Sequence, residues 1–359
     1  MHRVFNFSAG PAMLPLEVLE ASAKALVDFQ GKGVGIAEVS HRGKEFDGVL
    51  DECTARCRAL LGVPDTYDVV FLQGGATQLF TTIPMNFLQG SADFVVTGEW
   101  AKKAAEAAKP FGLANILGSS EATGFDRIPR DWKPNAGASY LHICSNNTIY
   151  GTRWSHFPDH PTLICDASSE ICSRPMDVSR FAMIYAGAQK NLGPSGVVLA
   201  IVRKDLYPRI PKSVPKIFNF AAHAEAKSCL NTPPTFGIYM LLETFRWLDR
   251  QGGLVAMEKR NEEKAGLIYA AIDQSGGYYR PTVTDIANRS RMNITYRLPN
   301  EDLTDKFIKE AEKKGMTALK GYRSVGGIRA SVYNAMPIEG CQALATHMRE
   351  FQGRNPVPA

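Results

Sequence analysis

Two spacings of apolar residues alternate along the N-terminal half of the chain. Residues 15–29 carry Leu and Val at helical spacing and stop near Gly31, and residues 44–61 repeat the pattern and end near Gly62. Two further helical stretches cover residues 77–88 and 100–109. Between and after them come short, unbroken apolar runs at 69–72, 94–97, 140–144, 163–166, 183–186 and 197–202. Runs with no polar alternate face fit strands covered on both sides, so the pattern predicts an α/β fold whose sheet is mainly parallel.

The pattern fails over residues 209–235, where Pro211, Pro215, Pro233 and Pro234 predict an irregular segment of a length that is usually functional. Helices are predicted again over 236–250 and 254–274. After Ser275-Gly-Gly the periods predict a strand at 292–297, a helix at 303–314, a strand at 327–332 and a helix at 338–351. The expected organisation is an N-terminal segment (1–15), a large domain (16–257) and a small C-terminal α/β domain (258–359).

Composition narrows the class. Of 359 residues, 45% are hydrophobic and 21% charged, which excludes a disordered or fibrous chain. Residues 1–8 lack an apolar secretion segment and no window approaches a membrane span, so a cytoplasmic protein without membrane attachment is expected. The seven cysteines are unevenly spaced, several inside apolar runs, and read as buried thiols; no metal site is expected. The net charge of +5 is not gathered into a basic stripe, which argues against nucleic acid and suits a small anionic substrate.

The candidate chemistry stands at predicted strand ends, where doubly wound sheets bind ligands. After residues 69–72, Gln73-Gly-Gly-Ala-Thr77 opens a helix, and its glycines, free N–H groups and the Thr77 hydroxyl suit a phosphate. Asp166 ends one apolar run, and Lys190 follows another. A lysine in such a place is ordinarily solvated, and a strand-end Asp is ordinarily a turn cap. Together with the glycine cup, however, they are what pyridoxal phosphate needs. The carboxylate keeps the pyridine nitrogen protonated, the lysine binds the aldehyde, and the helix terminus holds the phosphate. Trp100 is placed to stack on the ring and Thr148 to hydrogen-bond near its phenolic oxygen.

Six motifs extend this picture: Asn6-Phe-Ser-Ala-Gly-Pro-Ala-Met-Leu-Pro15, Glu38-Val-Ser-His-Arg-Gly-Lys-Glu45, Tyr185-Ala-Gly-Ala-Gln-Lys-Asn-Leu-Gly-Pro194, Asn231-Thr-Pro-Pro-Thr-Phe236, Asn288-Arg-Ser-Arg-Met-Asn293 and Gly326-Gly-Ile-Arg-Ala-Ser-Val-Tyr-Asn-Ala335. In these residues the chain resembles the phosphoserine aminotransferase family, from its first residues to about Phe351. The resemblance implies a fold type I, class V aminotransferase with a seven-stranded sheet. It also implies a homodimer with composite active sites, acting in serine biosynthesis on L-glutamate and 3-phosphohydroxypyruvate by a ping-pong mechanism.

Carried over by motif, the resemblance gives Lys190 and Asp166 the catalytic roles. Ala76, Thr77 and Gln189 fall on the cofactor's phosphate side, and Asn231 and Thr232 on a loop that reaches the phosphate in the other subunit. His41, Arg42, Arg323 and Arg329 become substrate ligands, with Arg329 on the α-carboxylate and Arg42 and Arg323 on the distal anion, for which a planar guanidinium is suited. Tyr322 departs from the family, many of whose members have His before the arginine; a phenol donates a hydrogen bond but no positive charge. Two rivals share the scaffold. A cysteine desulfurase would need a nucleophilic loop thiol, for which Cys229 is the candidate, and a cofactor-binding regulator would need an attached DNA-binding module ahead of the Asn6 motif.

Overall fold

The computed structural model describes residues 3–323 and 325–356. In chain order the elements are β1 (Phe5–Asn6), α1 (Leu16–Val27), α2 (Lys44–Leu61), β2 (Tyr67–Gly74), α3 (Ala76–Phe87), β3 (Ser91–Val96), α4 (Glu99–Ala108), β4 (Leu113–Ser119), β5 (Leu141–Cys144), β6 (Leu163–Asp166), β7 (Met183–Gly187) and β8 (Gly196–Arg203). There follow α5 (Phe220–Glu225), α6 (Thr235–Arg250), α7 (Gly253–Asp273), β9 (Arg280–Pro281), β10 (Asn293–Arg297), α8 (Glu301–Lys313), β11 (Met316–Thr317), β12 (Ile328–Ser331) and α9 (Ile338–Arg354).

The large sheet has seven strands in the order β2-β8-β7-β6-β5-β3-β4. Only β8 runs against its neighbours, pairing antiparallel with both β2 and β7; the other pairs are parallel. Alternate side chains of the strands enter two cores. Phe71, Ile143, Cys165 and Leu199 pack with α1, α2 and α6, while Leu72, Ile164, Tyr185 and Val198 pack with α3 and α4. This covering on both faces is why β5, β6 and β7 are buried at every position and read as unbroken apolar runs. Strand β4 was not predicted from the pattern. It is one of the sheet's two edges, and unlike β2 at the other it has no buried residue and carries no such run.

The second unit has a three-stranded antiparallel sheet, β12-β10-β9, against which α7, α8 and α9 pack. Its core takes Phe7 from the N-terminal segment, and β1 pairs in parallel with β11. The N-terminal segment is therefore sewn into the C-terminal unit, an arrangement the sequence pattern does not reveal because β1 is only two residues long. Burying the Phe7 ring contributes on the order of 2 kcal/mol to that attachment. The proline-rich stretch is less irregular than expected: it includes α5, capped by the Asn219 side chain accepting from the Ala222 N–H at 3.1 Å.

Candidate active site

Because β8 is the one reversed strand, the carboxyl ends of β2, β5, β6 and β7 face the same edge of the sheet. Lys190 sits there, in the connection from β7 to β8. The turn is tight: the Leu192 and Gly193 N–H groups both donate to the Ala188 carbonyl, at 3.0 and 2.8 Å. A side chain at Gly193 would come within 2.7 Å of the tip of the Leu241 side chain on α6, which would have to move aside. The Asn191 amide donates to the Ile171 carbonyl at 3.1 Å and anchors the turn on its other side.

A cavity of about 300 Å³ opens above this turn. Lys190, Asp166, Thr148, Trp100, Ala76, Thr77, Gln189 and Arg329 all line it, so eight of the expected site residues, distant in sequence, converge on one volume. The Lys190 Nζ donates to the Thr148 hydroxyl at 2.7 Å. Burial lowers the basicity of this amine; Asp166 and Cys144 oppose the shift and Arg329 adds to it. Asp166 is buried and its carboxyl is raised above the usual range, again by burial, with Lys190 and Ser168 acting to keep it charged. One of its oxygens accepts the Ser168 N–H at 2.9 Å, and the Ser168 hydroxyl in turn accepts the Gly187 N–H at 3.0 Å. Ser168 thus links the ends of β6 and β7.

Thr148 is fixed by the residue before it. The Asn147 side chain accepts the Ile149 N–H at 3.1 Å and donates to the Thr97 carbonyl, and its amide nitrogen occupies the space where a side chain at Gly98 would lie. Gly98 is thereby explained, and so is the start of α4, which delivers Trp100. On the opposite side, α3 begins without a capping side chain after Gly75 and presents the N–H groups of Ala76 and Thr77. Arg329, on β12, faces the cavity with its guanidinium 6.0 Å from the centre of the Tyr322 ring. The groups acting on it are Tyr333 and Tyr322, and no carboxylate is among them.

The remaining expected residues do not line the cavity of their own chain. Asn231 donates to the Gln73 side chain at 3.0 Å, and the Thr232 carbonyl accepts from the same glutamine, which places both beside the glycine cup but outside it. His41 is half-buried, Arg42 and Arg323 are exposed, and the Arg42 contact that fixes it is its backbone N–H to the Ser40 hydroxyl at 3.3 Å. The pattern in turn missed Ser168, Phe80, Ile149, Ala9 and Gly10, which do line the cavity. Cys229 is half-buried and its thiol is raised by burial, opposite to what a nucleophilic cysteine requires.

The donor set fits pyridoxal phosphate. An amine, a buried carboxylate and an uncapped helix terminus surround the cavity, and the indole Nε1 of Trp100 is buried there without a partner. Comparison with known proteins agrees. The profile of the family described as Aminotransferase class-V matches residues 4–344. The chain belongs to this family. Among class-V aminotransferases it is 50% identical to the phosphoserine aminotransferase of Geobacillus kaustophilus (strain HTA426), with 99% of each sequence covered. It superimposes on the phosphoserine aminotransferase from Bacillus circulans subsp. alkalophilus with a TM-score of 0.96 at 49% identity, covering 98% of this chain and 99% of that one. A pyridoxal-phosphate-bound phosphoserine aminotransferase from Trichomonas vaginalis matches with a TM-score of 0.92 at 37% identity, covering 97% and 100%.

Proposed function

We infer that the protein is a pyridoxal-phosphate-dependent phosphoserine aminotransferase. It exchanges an amino group between L-glutamate and 3-phosphohydroxypyruvate, giving 2-oxoglutarate and O-phospho-L-serine in serine biosynthesis. The observation that carries this reading is Lys190, a desolvated amine held at 2.7 Å by Thr148 in a cavity it shares with buried Asp166 and with Arg329.

Bound pyridoxal phosphate supplies an aldehyde to which an amine attaches and a ring that withdraws electrons. Asp166 provides the negative charge that keeps the ring nitrogen protonated, and burial makes that charge count. Ala76 and Thr77, with Gln189, would hold the phosphate on the α3 terminus, and Trp100 would pack against the ring. Thr148, which accepts from Lys190 here, would offer its hydroxyl to the cofactor's phenolic oxygen. Lys190 would hold the cofactor, and its Nζ would carry the α-proton from the substrate's Cα to the cofactor's C4′ carbon; burial keeps the neutral form available for this. Arg329 binds the α-carboxylate of either substrate. The two substrates use one cavity in turn, so initial-rate plots show ping-pong behaviour.

The rim belongs to the same reading. His41, Arg42 and Arg323 bind the distal phosphate or carboxylate. Asn231 and Thr232 complete the cofactor phosphate site of a second copy in a homodimer, and since His41 and Arg42 also stand outside their own cavity, the dimer supplies them likewise. We place the domain boundary at 257/258 and the enzyme in the cytoplasm; among the described residues no helix is long and apolar enough to cross a membrane. The test is Lys190→Ala, which abolishes turnover of glutamate with 3-phosphohydroxypyruvate and the visible absorbance reducible by borohydride. Parental turnover in that variant would sink the assignment.

A further inference from the structure

Lys264 lies on α7 and is fully buried. Among the described residues no carboxylate faces it; the groups acting on its amine are the Cys341 thiol from α9 and the Arg260 guanidinium one turn earlier on α7. Its Nζ donates instead to three successive backbone carbonyls, Val332 at 3.0 Å, Tyr333 at 2.7 Å and Asn334 at 3.5 Å. Burial pushes this amine down to about 7. Methionine would fill the same space without that desolvation cost, so a lysine here calls for a reason other than packing.

The reason lies in what the three carbonyls belong to. Residues 332–334 leave β12 three residues after Arg329, and five parts of the molecule meet on them. The Tyr333 hydroxyl donates to the carbonyl of Ala9, which lines the cavity, at 2.9 Å. It also accepts from the Asn293 amide on β10 at 3.1 Å. The Asn334 N–H donates to the side-chain oxygen of Asn191, the residue after Lys190, at 3.1 Å. The Asn334 side chain donates to the Cys172 carbonyl at 2.9 Å and accepts from Asn261, one turn before Lys264, at 2.9 Å. The turn thus ties the strand carrying the carboxylate-binding arginine to the turn carrying the reacting amine through the Asn191 side chain, and three of its carbonyls converge on one side chain.

We propose that Lys264 is a positioning residue for amino transfer: its clamp on residues 332–334 fixes the distance from Arg329 to Lys190. The proposal rests on the aminotransferase reading above. It predicts that loosening the clamp moves Arg329 relative to the cavity while Lys190 and the cofactor stay in place, so that carboxylate binding suffers first.

The experiment is steady-state kinetics on holoenzyme carrying Lys264→Met, with Lys264→Gln beside it. In the Met variant KM rises on the order of tenfold or more for both glutamate and 3-phosphohydroxypyruvate, kcat falls less, and the bound cofactor keeps its parental absorbance. The Gln variant, whose amide still donates two hydrogen bonds, recovers part of the lost binding. A merely structural lysine gives the opposite result: a lowered Tm with parental KM for both substrates at a temperature where the variant is folded, which overturns the proposal. Should the Met variant yield no soluble holoenzyme, the Gln variant decides by the same criterion, a parental KM counting against. Wild-type enzyme inactive with these substrates would instead refute the aminotransferase reading, so the two failures are told apart.

Discussion

The floor of the cavity and its rim are built in opposite ways. On the floor, Lys190 and Asp166 hang from adjacent strands of one chain, shielded by both cores and tied by Ser168, Thr148 and Asn191. On the rim, Arg42 and Arg323 are exposed, and Thr232 is held through its backbone rather than its side chain. On the proposed reading, the difference follows from what each would do. Shifting the proton affinity of an amine needs a dry, fixed environment, whereas accepting two dianions of different length needs cations that reach the substrate without being spent on internal partners. Arg329 is intermediate, half-buried on a strand yet facing Tyr322 instead of an acid.

Breaking the floor should have the largest effect. Lys190→Ala is expected to lower kcat by roughly four orders of magnitude or more, read by single-turnover absorbance. Next comes Arg329→Leu, which removes a desolvated ion-pair partner. It should cost about a hundredfold or more in kcat/KM for both amino donor and keto acid, and a loss confined to one substrate would contradict its assignment to the shared carboxylate. Lys264→Met follows, with its KM-weighted loss of about tenfold.

The rim is sharpened by mixing. Arg42→Ala and Lys190→Ala chains, each nearly inactive alone, should regain about a quarter of wild-type activity when refolded together, because one cavity of each mixed dimer then has both residues intact. No recovery would place Arg42 in its own chain's site. The smallest effect is on stability, away from both regions. Glu52 is held down to about 2, chiefly by its hydrogen bond from Arg246, with Arg56 assisting. A carboxyl depressed on folding stabilises above its unfolded value near 4.5 and stops doing so as pH falls toward 2. The stability gap between wild type and Glu52→Gln, small because the pair is a third exposed, should therefore be present at pH 7 and close over that window in denaturant titrations.

What the sequence made legible tracks this division. Strands β2, β3, β5, β6, β7 and β8 announce themselves because burial on both faces removes every polar alternate, and the strand-end positions of Asp166 and Lys190 follow directly. Edge strand β4 and two-residue β1 have no such signature. Ser168, Ala9 and Gly10 escaped because they contribute through backbone proximity and a single hydroxyl, which no spacing encodes. Lys264 looks from its neighbours Glu262 and Glu263 like one more charge on a solvated helix face; only the packing of α7 against residues 332–334 shows that it points inward. Rim residues are assigned by motif and not by pattern, since nothing periodic distinguishes an exposed arginine that binds substrate from one that does not.

The reversal of β8 has a consequence for how the molecule assembles. Parallel strands are joined by long crossovers, but an antiparallel neighbour needs only a hairpin, so the connection carrying Lys190 is a short loop between strands that pair directly. Its closure costs little chain entropy compared with the crossovers that bring β2, β5 and β6 alongside. The Lys190 amine is therefore mounted on one of the least expensive joints of the sheet, and its placement depends on a local pairing register rather than on the slow gathering of distant strands.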